Sequence, residues 1–187
     1  MRLQAIKRRC LQTKKFIIIN GESCQWMSDA INYYRIIGIV LESDWVQDVF
    51  ALTNKQMDKI VSLTTHRKEA IFARDYPAIG EAVGFAGEVW AFEQVFYAFE
   101  YNGATLYVPE AWAKPANIEG ATDYRLVRDD DGELLIAVYN GMFCDALLST
   151  IPANIAQRIS AALKALGSRP VYGATDEMDE GQDEREV

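Results

Sequence analysis

Histidine is nearly absent from this chain, which holds only His66. Catalytic zinc centres and serine-type triads need histidine at defined positions, so its scarcity removes most familiar hydrolytic chemistry. His66 itself, in Thr65-His66-Arg67-Lys68 after a helical pattern, is expected to be an exposed loop or helix-end residue, where a cation suits the helix dipole. Cysteine is scarce too. Cys10, Cys24 and Cys144 are odd in number and include no CxxC pair, which speaks against a disulfide framework and a structural zinc site. Gly80, Gly84 and Gly87 do not make GxGxxG, no Walker lysine follows them, and GxSxG is missing. No apolar run approaches the roughly 18–20 residues that span a bilayer. The N-terminus has the charge of an export signal, but its apolar segment is only Phe16-Ile17-Ile18-Ile19, short of the roughly 7–15 residues of a signal core. The expectation is a cytoplasmic protein with no membrane partner and no cofactor.

Acid is abundant. The chain carries 27 Asp and Glu against 19 Lys and Arg, a net charge of −8. The imbalance is steeper than that figure: Arg2, Lys7, Arg8, Arg9, Lys14 and Lys15 fall in the first 20 residues with no acid among them, leaving 13 basic and 27 acidic residues beyond, a balance of −14. Such a surface repels phosphates, so direct nucleic-acid binding is disfavoured.

Composition divides the chain into a basic N-terminal stretch over 1–26, a single α+β domain over 27–171 and an acidic tail over 172–187. The first is expected to be a mobile arm, or to lie upstream of a native start at Met27. The tail has too few apolar groups to offset the entropy of ordering it. Residues 31–41 are apolar on both alternating faces and read as a doubly covered central strand, with Gly38 as a bulge. Trp45, Val46, Val49 and Phe50 sit at helical spacing. Thr53 and Gln56 make a capping box with Leu52 and Met57 in the staple positions, and Ile60 and Val61 read as the continuation of that helix. A weaker helix is expected from Pro77.

Two hairpins set the fold class. In 96–108 the turn is Asn102-Gly103, whose residues tolerate the positive φ of a two-residue loop. That loop sets Tyr101 against Ala104, Phe99 against Leu106 and Tyr97 against Val108, all on one face. In 124–139 a four-residue loop over Asp129-Asp130-Asp131-Gly132 sets Arg128 against Glu133 and Val127 against Leu134, avoiding like charges directly across the ladder. A final helix over 152–166 carries the stripe Ile151, Ile155, Ile159, Leu163 and Leu166, stopped at Gly167. Together these predict an α+β fold: a mostly antiparallel sheet of four to five strands with flanking helices.

Asp129-Asp130-Asp131-Gly132 is not an EF-hand loop, because Val127 and Val138 would occupy its first and twelfth positions; a polar turn accounts for it. Glu88, Glu93, Glu100 and Glu110 lie among aromatics including Trp90, Phe92 and Trp112, the composition of a sugar cleft. Glu93 and Glu100, however, would fall on opposite faces of a strand. The leading expectation is a non-enzymatic acidic interaction protein. Its carboxylates Glu42, Asp44, Asp48, Asp129, Asp130, Asp131 and Glu133 would occupy a basic groove on a nucleic-acid-handling protein by charge mimicry. The alternatives are a small enzyme with a carboxylate-based site and a self-associating protein that pairs through a sheet edge as a homodimer.

Overall fold

The computed structural model describes residues 3–21, 24–67, 79–129 and 131–167. The fold class is α+β, with eleven strands among the described residues rather than four or five. Eight form a mixed sheet in the order β4-β1-β2-β3-β11-β10-β9-β5, and three form a second sheet, β6-β7-β8. The large sheet comprises β1 (Lys15–Asn20), β2 (Gln25–Ser28), β3 (Tyr33–Ile36), β4 (Val61–His66), β5 (Glu81–Ala82), β9 (Asp123–Arg128), β10 (Leu134–Asn140) and β11 (Phe143–Ser149). All its pairings are antiparallel except that of β1 with β4. The small sheet comprises β6 (Gly84–Ala91), β7 (Gln94–Tyr101) and β8 (Ala104–Pro109).

The expected basic arm is part of this unit. Residues 3–20 form helix α1 (Leu3–Thr13) and strand β1, and the boundary expected at Met27 falls inside β2. The charges hide the pattern in the sequence: Arg8, Lys14 and Lys15 face solvent, while Ile6, Cys10, Phe16 and Ile18 are fully buried. The 172–187 tail and the helix expected from Pro77 lie outside the described residues.

Period-2 alternation assigns the cores. One face of the large sheet, including Phe16, Ile18, Met27, Tyr34, Ile136 and Val138, packs on Tyr97, Phe99 and Val108 of the small sheet and on Ile6 and Cys10 of α1. The opposite face buries Ile19, Trp26, Val127, Leu135, Tyr139 and Leu147. Strand β10 is covered on both faces, and of the run 31–41 only the central strand β3 has side chains in both clusters, Tyr34 and Ile36 on one side and Tyr33 on the other. That run ends as a strand at Ile36, because Gly38 takes φ +84° and turns the chain, leaving Ile37 and Val40 exposed. Next come a 3-10 turn (Ser43–Trp45), α2 (Val46–Val49) and α3 (Asn54–Met57), a stretch in which Val46, Phe50 and Leu52 are buried. The Thr53/Gln56 capping box forms, with the Gln56 amide donating to Thr53 Oγ1 at 3.3 Å and the Thr53 amide to Gln56 Oε1 at 2.9 Å. Its helix is a single turn, and Val61 opens edge strand β4 instead of continuing the helix, so His66 ends a strand.

The Asn102-Gly103 hairpin has the expected register, pairing Tyr101 with Ala104, Phe99 with Leu106 and Tyr97 with Val108. The second hairpin is shifted by one residue: Val127 pairs with Leu135 and Arg128 with Leu134. Gly132, at φ +83°, makes the difference. Its amide donates to the Asp129 carbonyl at 3.0 Å and the Asp129 amide to the Glu133 carbonyl at 3.2 Å. This closes a three-residue loop of the turn-plus-glycine type. Asp129 and Glu133 do face each other, but the Asp129 carboxylate accepts the Glu133 amide at 2.8 Å. Two further hairpins join β6 to β7 and β10 to β11; the first turns at Phe92-Glu93, both at positive φ.

Short helix α4 (Glu110–Ala113) follows β8, and helix α5 (Ala153–Gly167) closes the described chain. The α5 stripe is the expected one in part, with Ile151, Ile159 and Leu163 in the core. Ala156, Ile159 and Leu163 pack on Phe96, Ala98 and Tyr107 of the small sheet, while Ile155 and Leu166 are exposed.

One polar network crosses these layers. In the β2–β3 turn the Asp29 carboxylate is fully buried, and Arg9 from α1 reaches it through Nε at 3.1 Å and Nη2 at 2.8 Å. Its other oxygen accepts the amides of Ile31 (3.0 Å) and Asn32 (2.7 Å). Asn32 Oδ1 in turn accepts the Ser149 amide of β11 at 3.0 Å. Arg9→Ala strands a buried carboxylate without its counter-charge and is expected to cost about 3–5 kcal/mol in urea unfolding; a loss below about 1 kcal/mol would deny the network its clamping role. Ala30, at φ +70° in the same turn, carries left-handed strain, so Ala30→Gly is expected to gain about 1 kcal/mol in the same assay.

Candidate functional site

The candidate partner-binding carboxylates fall into two separated groups. Glu42, Asp44 and Asp48 are exposed on the segment leading through the 3-10 turn into α2. That segment is tied to edge strand β4 by the Ser43 amide donating to Thr64 Oγ1 (3.1 Å) and by Ser62 Oγ donating to the Ser43 carbonyl (3.1 Å). Asp129, Asp131 and Glu133 are at the β9–β10 turn, with Asp131 and Glu133 exposed; Asp130 lies outside the described residues. Strand β9 is six places from β4 in the sheet order. At about 4.8 Å per strand, β9 lies on the order of 29 Å from β4 measured along the sheet. The two groups are thus carried on different connections of the sheet.

The carboxylates singled out among the aromatics are also divided. Glu93 sits in the β6–β7 turn, and Glu100 is exposed on β7 opposite Thr105. Glu88 lies across the ladder from Tyr97. Burial, followed by the charges of Glu88, Glu110 and Glu119, pushes the Tyr97 hydroxyl up to about 12. It is thus a protonated donor at neutral pH, held near carboxylates, and not a base. Among the described residues no group of three or more His, Cys, Asp and Glu is placed to hold a metal ion, and no helix is long and apolar enough to cross a membrane.

A groove of about 1090 Å³ lies between β8, the β9–β10 turn and α5. Leu106, Leu134, Ile151 and Leu163 supply apolar wall, and Arg128, Glu133 and Lys164 supply its charge. Tyr107 OH and Ser160 Oγ, 3.0 Å apart, join β8 to α5 across it. Arg128 Nη1 donates to the Gly132 carbonyl at 3.0 Å. One wall is thus the same turn that carries Asp129, Asp131 and Glu133. The turn and the β8 hairpin are both visible in the sequence, but nothing there signals that they share a groove, since residues some 25–60 apart in sequence meet only through the packing of the two sheets. No protein-family profile, curated protein or solved structure matches this chain.

Burial also raises the hydroxyl of Tyr139, to about 12, and pushes up those of Tyr34 and Tyr124 and the thiol of Cys10. For each, the unfolded chain releases its proton first as pH rises. For the tyrosines, the contribution is therefore complete below the unfolded value of about 10 and is lost as pH climbs through the folded values. Stability measured by urea unfolding is expected to fall from pH 10 to pH 12, and Tyr97→Phe, Tyr139→Phe to flatten that fall. Thiol labelling offers a second check: Cys24 is half-buried while Cys10 and Cys144 are buried, so one thiol is expected to react in the native protein and the other two only on unfolding.

Proposed function

We propose that the protein is a non-enzymatic interaction protein that engages a basic partner, of the kind that handles nucleic acid, and occludes it by charge mimicry. The observation that carries this reading is the exposure of Glu42, Asp44 and Asp48 at one end of the large sheet and of Asp131 and Glu133 near the other. Carboxylates held on short turns at both ends of a rigid sheet present fixed negative charge, and fixed charge steers association and sets register with little reorganisation. Two acidic groups on separate connections of one sheet suit a partner whose basic surface extends along a nucleic-acid track, meeting one group at each end.

The test is capture by the full chain from a bacterial lysate, washed at about 0.1 M and then about 1 M salt, where the screening length shrinks from about 10 Å to about 3 Å. A basic partner retained at the first and released at the second is the expected result. Replacing Glu42→Gln, Asp44→Asn and Asp48→Asn together is expected to weaken it about tenfold, at roughly 0.5 kcal/mol per exposed contact. A partner indifferent to salt and to the triple substitution, or recovery of only the chain itself, would contradict the reading.

A further inference from the structure

Strand β8 is the outer strand of the small sheet, and its free side faces the groove. The register fixes which backbone groups point there. Tyr101 and Ala104 flank the two-residue turn, so the residues of β8 alternate between bonding β7 and facing away from it. The Tyr107 carbonyl faces away, since it accepts the Ile151 amide from outside the sheet at 2.9 Å. Thr105, two residues earlier, therefore presents both its N–H and its C=O to the groove, and Tyr107 presents its N–H. Among the described residues none of these three groups has a backbone partner. Unpaired groups of this kind form a template for another strand.

The charge of the groove departs from that of the chain. Two of its three charged lining residues, Arg128 and Lys164, are cationic, in a protein of net charge −8. Among the described residues neither is paired with a carboxylate. We infer that the groove docks an extended, acidic segment of a partner protein, which adds a strand to β8 through Thr105 and Tyr107 and directs carboxylates toward Arg128 and Lys164. Ile151 and Leu163, on the α5 side of the small sheet, then receive the alternate apolar side chains, the division of labour usual in strand addition. The groove shares Glu133 with the acids of the β9–β10 turn, but the inference stands on the open edge of β8 and does not rest on the charge-mimic reading.

A random peptide library selected against the full chain supplies the probe, and affinity of the enriched synthetic peptide is read by fluorescence anisotropy. The expected peptides alternate apolar residues with Asp or Glu. Thr105→Pro removes a donor that the β7 ladder does not use and puts a ring on the edge, as edge strands tolerate; it should lower affinity at least about tenfold. Arg128→Gln should weaken binding about twofold, as for loss of one exposed ion pair. If Thr105→Pro fails to fold by circular dichroism, Ala161→Glu, at an exposed helical position lining the groove, should produce a comparable loss by filling the groove and repelling acid. Failure to enrich any peptide, enrichment of basic ones, or unchanged affinity in the folded variants would overturn the inference. None of these variants alters Glu42, Asp44 or Asp48, so the two proposals fail separately.

Discussion

The buried Arg9–Asp29 contact is the constraint on which the rest of this architecture depends. The large sheet is assembled from two pieces, β4-β1-β2-β3 and β11-β10-β9-β5. They meet at β3 and β11 through only two residue pairs, Tyr34 with Ala146 and Tyr33 with Leu147. So short a seam has few ladder bonds of its own. The β2–β3 turn lies beside it, where Asp29 shapes the turn, Asn32 reaches Ser149 across the seam and Arg9 ties the assembly to α1. A charge pair hidden from water contributes less by its own attraction than by the cost of losing one partner. Loss of either partner would therefore leave a buried, uncompensated charge beside the turn and the seam.

What the sheet then positions follows from its ends. Its middle strands bury apolar side chains on both faces. The acids of the candidate interface lie on the connections, before and within α2 at one end and in the β9–β10 turn at the other. The small sheet packs by one face on this core and by the other on α5. Its edge strand β8 is left between α5 and the turn, and the groove results from that incomplete closure.

Legibility in the sequence follows how local each signal is. The Asn102-Gly103 register and the Thr53/Gln56 capping box are readable because a few adjacent residues determine them. The β9–β10 register departs from expectation by one residue because Gly132 can end a three-residue loop as well as a four-residue one, and backbone bonding outweighs the avoidance of like charges. The β6–β7 turn gives no signal, since Phe92 and Glu93 adopt positive φ without the residue types that favour it. Helix α1 and strand β1 resemble an arm in the sequence because the exposed Arg8, Lys14 and Lys15 mask the buried pattern. Of the candidate site, the exposed acids are visible as composition. Their division into two groups is not, because it depends on which strands become neighbours.

Zero-length carbodiimide cross-linking of the full chain to its captured partner, followed by peptide mass spectrometry, tests the charge-mimic interface most directly, because it joins carboxylates to lysines only where they touch. Links are expected from Glu42, Asp44 or Asp48, and from Asp131 or Glu133, to lysines of the partner's basic surface. Links confined to other carboxylates, such as Glu88 or Glu119, would contradict that interface and move it away from both ends of the large sheet.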